Sequence, residues 1–455
     1  MFTPLRYKFG FKTPSKNLFM ARSGLSADVI REISRKKNEP KWMLDFRLKA
    51  YEIFKKKSMP AWAPKLNGID LDAIHYYIKP LSGPATTWDQ VPREIKNTFE
   101  RIGVRKSEIE FSSGTGAQFE SESVYHSLQK NLKKKGVIFE STDNALKNHP
   151  DLFKKYFSKV VPPVDNKFAA LNSAAWSGGS FIYVPKGVHV DMPLQAYFRI
   201  NKENSGQFER TLIIADEDSE VHYIEGCSAP VCLKSSLHAA VVEIIAKPGA
   251  KVRYTTIQNW SGNIYNLVTK RAFAYEDASV SWLDCNIGSK LTMKYPAIFL
   301  MGRRAKGEIQ SLAFAGKDQH QDTGAKIIHA APDTTSSVTS KSISAENGIS
   351  IFRGLIKVNK TAKNTKTRTV CDALLLDKNS RSDTYPKISA DEDDISVAHE
   401  ATVSRISEDQ LFYLKSRGLT EPQAASMIIN GFAEPVIKSL PPEYAVEINR
   451  LLQLQ

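Results

Sequence analysis

The stretch Ile244–Ile257, IIAKPGAKVRYTTI, reads as two short strands around a turn. Pro248 and Gly249 punctuate it, and polar and apolar residues alternate after the turn, as in a strand buried on one face. The same plan recurs in IIADEDSEVHYIEG (213–226), FAYEDASVSWLDC (273–285), FLMGRRAKGEIQSL (299–312), IHAAPDTTSSVTS (328–340), IKVNKTAKNTKTR (356–368) and ISADEDDISVAHEA (388–401). Equivalent turn positions are Ser219, Ala250, Ala278, Ala305, Thr334, Ala362 and Ile395, separated by 31, 28, 27, 29, 28 and 33 residues. A near-constant step of roughly 29 residues made only of short strands predicts a β-solenoid, because one coil cannot bury its own apolar face and a stack can. The Ser-, Thr-, Asn- and Lys-rich coils TSSVTSKSISAENG and KVNKTAKNTKTRT suit outward polar ladders. A Greek-key sandwich is the rival, and it needs no such regular period.

Outside the repeat the period is helical. Residues 24–165 read mostly as helix, with Ser26 as an N-cap, a break at Glu39-Pro40 and another helical stretch opening near Thr142. FSSGTGAQFES (111–121) lacks the Lys-Ser/Thr of a phosphate loop and reads as an ordinary loop. After Arg405, Ser407 with Gln410 and Thr420 with Gln423 have capping-box spacing. Gly418 and Gly431 are expected to end those helices, and Pro441-Pro442 to open a third with Tyr444, Val446, Ile448, Leu451 and Leu452 on its apolar face. The expected division is 1–165 helical, 166–405 solenoid and 406–455 helical, with the last helices capping the solenoid and offering a docking surface.

The chain has 455 residues, more than the ~250–300 that one core sustains. Hydrophobic content of 42% and charged content of 25% are globular values. No apolar run approaches the ~18 residues of a membrane span. The net charge of +14 is spread along the chain, in runs such as Lys55–Lys57 and Lys133–Lys135, without an Arg-rich stripe among aromatics, so nucleic acid is not expected. Four cysteines and no CxxC pair fit a reducing cytosol rather than a disulfide framework. The first 26 residues hold no Asp or Glu, but PLRYKFGFKTPSK (4–16) has no long apolar core and is read as part of the mature chain.

Alternation places Val221, Tyr223, Glu225 and Cys227 on one strand face, and Val252, Tyr254, Thr256, Gln258 and Trp260 on another. Gln258 thus points into an apolar row, where a polar amide needs a partner or lines a channel. Arg199 and Asn201 share a face with Gln195 and Tyr197. Adjacent His399 and Glu400 can bind metal, but alternation sends them to opposite faces, so one site takes both only at an interface or a bulge. Asp322, Asp372, Asp377 and Asp383 would interest a carbohydrate-cleaving solenoid, yet their contexts read as turns.

The long motifs ISRKKNEPKWMLDFRLKAY (33–51), AYFRINKENSGQFERTLIIADEDSEVHYIEGCSAP (196–230), LHAAVVEIIAKPGAKVRYTTIQNW (237–260), NLVTKRAF (266–273), QDTGAKIIH (321–329), HEATVSRISEDQLFYL (399–414) and MIINGF (427–432) resemble the SufB/SufD family of the SUF iron–sulfur cluster assembly system nearly end to end. FRIN, EGCSAP and QNW are of the SufB type. The resemblance implies a right-handed parallel β-helix between helical ends, acting as a cytoplasmic, non-enzymatic scaffold with a transient iron–sulfur cluster and reduced flavin as cofactors. It implies partners: SufD or a second SufB along the β-helix, the ATPase SufC on the C-terminal helices, and a sulfur-transfer protein. Matched residue by residue, it makes Cys227 the sulfur acceptor, Arg199, Asn201, Gln258, Trp260 and Lys270 the lining of a sulfur channel, and His399 and Glu400 cluster ligands at the partner interface. Where some members carry a cysteine, this chain has Ser380, a poor iron ligand beside thiolate. A SufD-like structural subunit and a carbohydrate-active β-helix are the alternatives.

Overall fold

The computed structural model describes residues 10–12, 17–80, 85, 87–101, 112–440, 444–445, 448–449 and 452. Most of PLRYKFGFKTPSK, Phe111, the Pro441-Pro442 step, Val446 and Leu451 lie outside the described residues.

Each coil contributes strands to two long sheets, one of ten strands and one of twelve, and the coils stack in parallel as a right-handed β-solenoid. The ten-stranded sheet runs from Ile395–Arg405 through Thr365–Leu375, Thr335–Ser344, Lys306–Ala315, Ser279–Gly288, Lys251–Trp260 and Glu220–Ser228 to Leu194–Arg199. Inward positions stay in register from coil to coil. One ladder reads Tyr223, Tyr254, Trp282, Ile309, Val338, Thr369 and His399. Its first three rings sit 5.1 and 5.0 Å apart, so aromatic contact reinforces the hydrogen-bonded stack. The register corrects one repeat position: Thr365, not Ala362, is equivalent to Thr334, since Thr334 precedes the Thr335–Lys366 pair and Thr365 pairs with Ile395. The turn before Thr365 is longer, with Asn364 in the left-handed region at φ 52°.

The first coil is covered. Strand Gly114–Phe119 pairs in parallel with Leu194–Arg199 and turns back into Glu122–Leu128, while Ile138–Ser141 pairs antiparallel with Ser180–Val184. The stretch read as a loop is therefore a buried strand. Its glycines serve close packing: a Cβ on Gly114 would meet the Ser127 carbonyl oxygen at 2.7 Å, and one on Gly116 the His126 ring at 2.7 Å.

Helix Ala27–Lys37 is capped by Ser26, whose Oγ accepts from the Val29 N–H at 3.3 Å, and Lys41–Lys56 starts after Pro40 as expected. The buried Arg47–Glu39 pair, 2.6 Å, ties this helix to the carbonyls of Ala174 and Trp176 beside helix Lys167–Ala175. The stretch from Thr142 is two helices, Thr142–Asn148 and Pro150–Tyr156, split at His149-Pro150. At the C-terminus, Gly418 at φ 94° ends helix Glu408–Ser416. Gly431 does not end the next helix, Glu421–Ile437. Packing of Ile429, Ala433, Val436 and Ile437 on the outer face of the ten-stranded sheet outweighs the weak helix propensity of one glycine. Tyr444, Ile448 and Leu452 continue that contact. The terminal helices therefore lie along the flank of the solenoid rather than capping it, and the last coil stays open. No helix among the described residues is long and apolar enough to cross a membrane.

Candidate functional site

Inside the solenoid, near its covered end, polar side chains replace the aliphatic filling. Cys227, Gln258 and Asn286 are register neighbours on the ten-stranded sheet, as are Glu225, Thr256 and Asp284 two residues earlier. The facing sheet contributes the register neighbours His238, Asn266 and Thr292, with Lys270 and Lys294 beyond them. All eleven are buried.

Hydrogen bonds join the two walls. Asn266 Nδ2 donates to Gln258 Oε1 at 2.8 Å, and Lys294 Nζ reaches the same oxygen at 3.4 Å and Asn286 Oδ1 at 3.0 Å. Lys270 and Lys294 hold Asp284 at 2.8 and 3.0 Å, and Lys270 also donates to Thr256. The ammonium of Lys270 lies 4.5 Å from the Tyr254 ring centre. Burial opposes ionisation of Asp284, but the two lysines outweigh it and hold its pKa at about 2; burial takes Lys294 down to about 8.

The Cys227 thiol donates to Glu225 Oε1 at 3.6 Å, and Tyr254 donates to the other oxygen of that carboxylate. Burial, then the carboxylates of Glu225 and Glu209, push the Cys227 thiol well up, against Lys294 and Lys270. Across the lumen His238 Nε2 meets Glu209 Oε1, and the Trp260 ring stands 4.7 Å from the imidazole. Ligand atoms of Glu209, Cys227 and His238 all lie within 4.8 Å of one another, a mixed oxygen, sulfur and nitrogen set of the kind that binds transition metals. The expected flavin has no comparable support among the described residues.

The residues expected from the sequence fall into three places. Cys227, Gln258, Trp260 and Lys270 belong to the lumen group just described. Arg199 pairs with Ser228, so it takes the other face of the strand from Cys227, and its Nη2 donates to the Phe11 carbonyl at 2.7 Å. Asn201 is buried nearby, where its backbone N–H bonds Glu120. His399 and Glu400 sit on the last strand. His399 points inward beside Thr369, Ile388 and Val338, and Glu400 is exposed and paired with Arg368 at 3.4 Å. Ser380 is buried at a turn, donating to Asp377 at 2.7 Å.

Of the four aspartates, only Asp377 serves a turn. Asp322, Asp372 and Asp383 lie in strands and are matched by Arg353 at 2.9 Å, Lys341 at 2.6 Å and Arg381 at 2.7 Å. Sequence reasoning missed Glu209, His238, Asn266, Asp284 and Lys294. The signal was present in part: one repeat step carries Cys227 to Gln258 and His238 to Asn266.

A profile of the SUF system FeS cluster assembly SufBD core domain matches residues 198–432, and one of the SufBD protein N-terminal region matches residues 113–196. An iron-sulfur cluster assembly SufBD family protein of Staphylococcus aureus (strain MRSA252) is 56% identical over 449 residues, covering 99% of this chain and 97% of its own. Its counterpart in Staphylococcus haemolyticus (strain JCSC1435) is 56% identical over 449 residues with the same coverage, 99% and 97%.

Proposed function

The chain belongs to the SufBD family of iron–sulfur cluster assembly proteins and is a non-catalytic scaffold of that process, and we propose that it is the SufB-type subunit, taking up sulfur at Cys227 and completing a cluster at its open last coil. The observation that carries this reading is the buried polar file through the solenoid. From Cys227 and Gln258 it continues by Asn286 on one wall, is interrupted there by Ala313 and resumes at Ser342, and from Asn266 it runs unbroken by Thr292, Gln321, Ser350 and the half-buried Ser382 on the other. A wall that stays polar through successive coils costs hydrophobic packing, and a path for a polar sulfur species explains it better than stability does.

In the sulfur step the Cys227 thiolate attacks the outer sulfur of a donor persulfide. The donor's S–S bond breaks, its thiolate leaves, and Cys227 carries the persulfide without any net oxidation. Glu225 accepts the thiol proton, and Gln258, Trp260 and Lys270 line the route. Arg199 and Asn201, on the outward face, act at the entrance. His399 and Glu400 receive the nascent cluster together with a SufD-type subunit or a second copy seated on the last coil. SufC docks on the helices of segment 406–455, beyond the solenoid at 166–405 and the N-terminal segment 1–165. Retention of Cys227, Gln258 and His399 favours the SufB type over a SufD-like structural subunit.

A cysteine-driven assembly assay with the partner subunits tests the reading. Cys227→Ala should abolish cluster formation, and Cys232→Ala, at a half-buried loop position, should change it little. Equal rates for Cys227→Ala and wild type would end the claim.

A further inference from the structure

The group formed by Glu209, Cys227 and His238 has properties that sulfur uptake alone does not require. Its three side chains come from a strand of each sheet, Cys227 and His238, and from the connection that holds Glu209, yet their ligand atoms converge within 4.8 Å. A tetrahedral site with metal–sulfur and metal–nitrogen bonds of ~2.3 and ~2.0 Å sets its ligand atoms about 3.5 Å apart, so each side chain need move by only ~1 Å. Among the described residues Glu209 Oε2 is buried without a hydrogen-bond partner, as is Gln258 Nε2. Burial of a carboxylate oxygen is costly unless a donor or a cation meets it.

The histidine is prepared for a metal. Asn266 uses Nδ2 to donate to Gln258 Oε1 and to Thr292 Oγ1, which turns its Oδ1 toward His238 Nδ1 at 2.7 Å. That carbonyl can only accept, so Nδ1 carries a proton and Nε2 faces Glu209 and Cys227. Metal-binding histidines are oriented in this way, with the remote ring nitrogen donating to a fixed acceptor. Charge also balances: one carboxylate, one thiolate and a neutral imidazole are neutralised by a dication, which takes the place of the proton between His238 and Glu209 and releases the thiol proton.

We infer that Glu209, Cys227 and His238 form a mononuclear site for a divalent first-row transition-metal ion, iron(II) in the setting of cluster assembly, with a fourth position open. Three protein ligands with one free position are the arrangement that lets a bound metal take an incoming ligand. Iron would then meet sulfur at Cys227 rather than first at the last coil. The inference goes beyond the sulfur-acceptor reading and does not depend on it.

Cobalt(II) is the probe, added anaerobically to the full-length chain after chelator treatment, with a phosphine reductant. One cobalt should bind per chain and give a thiolate-to-cobalt charge-transfer band in the near ultraviolet. Cys227→Ser, a one-atom change, should remove the band, and His238→Ala and Glu209→Gln should weaken binding at least tenfold. Cys232→Ser and Cys371→Ser should retain the band. Cobalt-edge X-ray absorption on wild type, which needs no variant to fold, should count one sulfur and one imidazole. No binding to folded wild type, a band that survives Cys227→Ser, or a cobalt shell without sulfur would overturn the site. The sulfur role is read separately: cobalt binding with normal cysteine-driven assembly in Cys227→Ala would remove that role and leave the metal site, and the opposite pair of results would do the reverse.

Discussion

Buried carboxylates in this fold are tolerated according to the cations held against them. Glu243 has Arg210 at 2.6 Å and Asp284 has two lysines. Glu120 is different. Burial pushes its carboxyl up to about 7, while the Asn201 N–H and the charges of Lys202 and Arg199 only partly offset it. A folded-state pKa above the unfolded value near 4.5 favours the protonated form, so the stability it contributes is complete below that value and is lost as pH rises through 7. Glu120→Gln should therefore stabilise the protein relative to wild type at pH 8.5 by up to roughly 3 kcal/mol, read as a higher melting temperature, with little difference at pH 4. A difference that stays flat between those pH values would show that Glu120 is not the titrating group. The same scale explains what the sequence hid at the site. Cys227 and Gln258 are visible because alternation puts a thiol and an amide into apolar rows. Glu209 and His238 are not, because they reach Cys227 across the lumen from the facing sheet, and no local spacing encodes that distance.

At the scale of elements, the turn period made the solenoid legible because each coil repeats one physical problem, burial of a half-apolar strand. Strand Gly114–Phe119 escaped because all six of its residues are buried, so the two-residue polar alternation that marks a strand is missing. The flank helices were legible as helices, but their resting place was not: the outward-facing Ile224, Ile257, Leu283, Leu312 and Ile343 that receive them alternate along their strands with inward residues, and both sets read as core. This placement decides how SufC docking is tested. Removing segment 407–455 would uncover all these outward residues and invite aggregation, confusing lost binding with lost folding. Helix Glu408–Ser416 buries none of its residues, and Phe412 and Tyr413 are 75% and 56% exposed. Phe412→Ala with Tyr413→Ala should leave the thermal midpoint within roughly 2 °C of wild type and weaken SufC binding at least tenfold. Undiminished SufC binding would move the docking site to another surface.

For the molecule as a whole, the two ends of the solenoid differ. Hairpin Gly114–Leu128 and strand Ile138–Ser141 close the first coil, while strands Arg381–Ala390 and Ile395–Arg405 end both sheets with edges unpaired among the described residues. Open edges of this length invite pairing with another chain, and the exposed Tyr385, Ile388, Val397 and Val403 add apolar contact. The partner proposed above, a SufD-type subunit or another copy, would seat its own solenoid end there. It would also enclose His399, whose buried Nε2 has no hydrogen-bond partner within the described residues, and bring a neighbour toward Glu400. Two effects then separate. Ile388→Lys with Val403→Lys puts like charge on the joining edges, and should abolish co-elution with the partner in size-exclusion chromatography while the isolated chain melts within roughly 2 °C of wild type. His399→Ala removes no hydrogen bond made among the described residues, so it should keep both the melting temperature and the co-elution and lose cluster assembly. If His399→Ala instead lowers the melting temperature by many degrees and the folded remainder assembles clusters normally, His399 is packing at the end of the Tyr223–Thr369 ladder, and the cluster has other ligands.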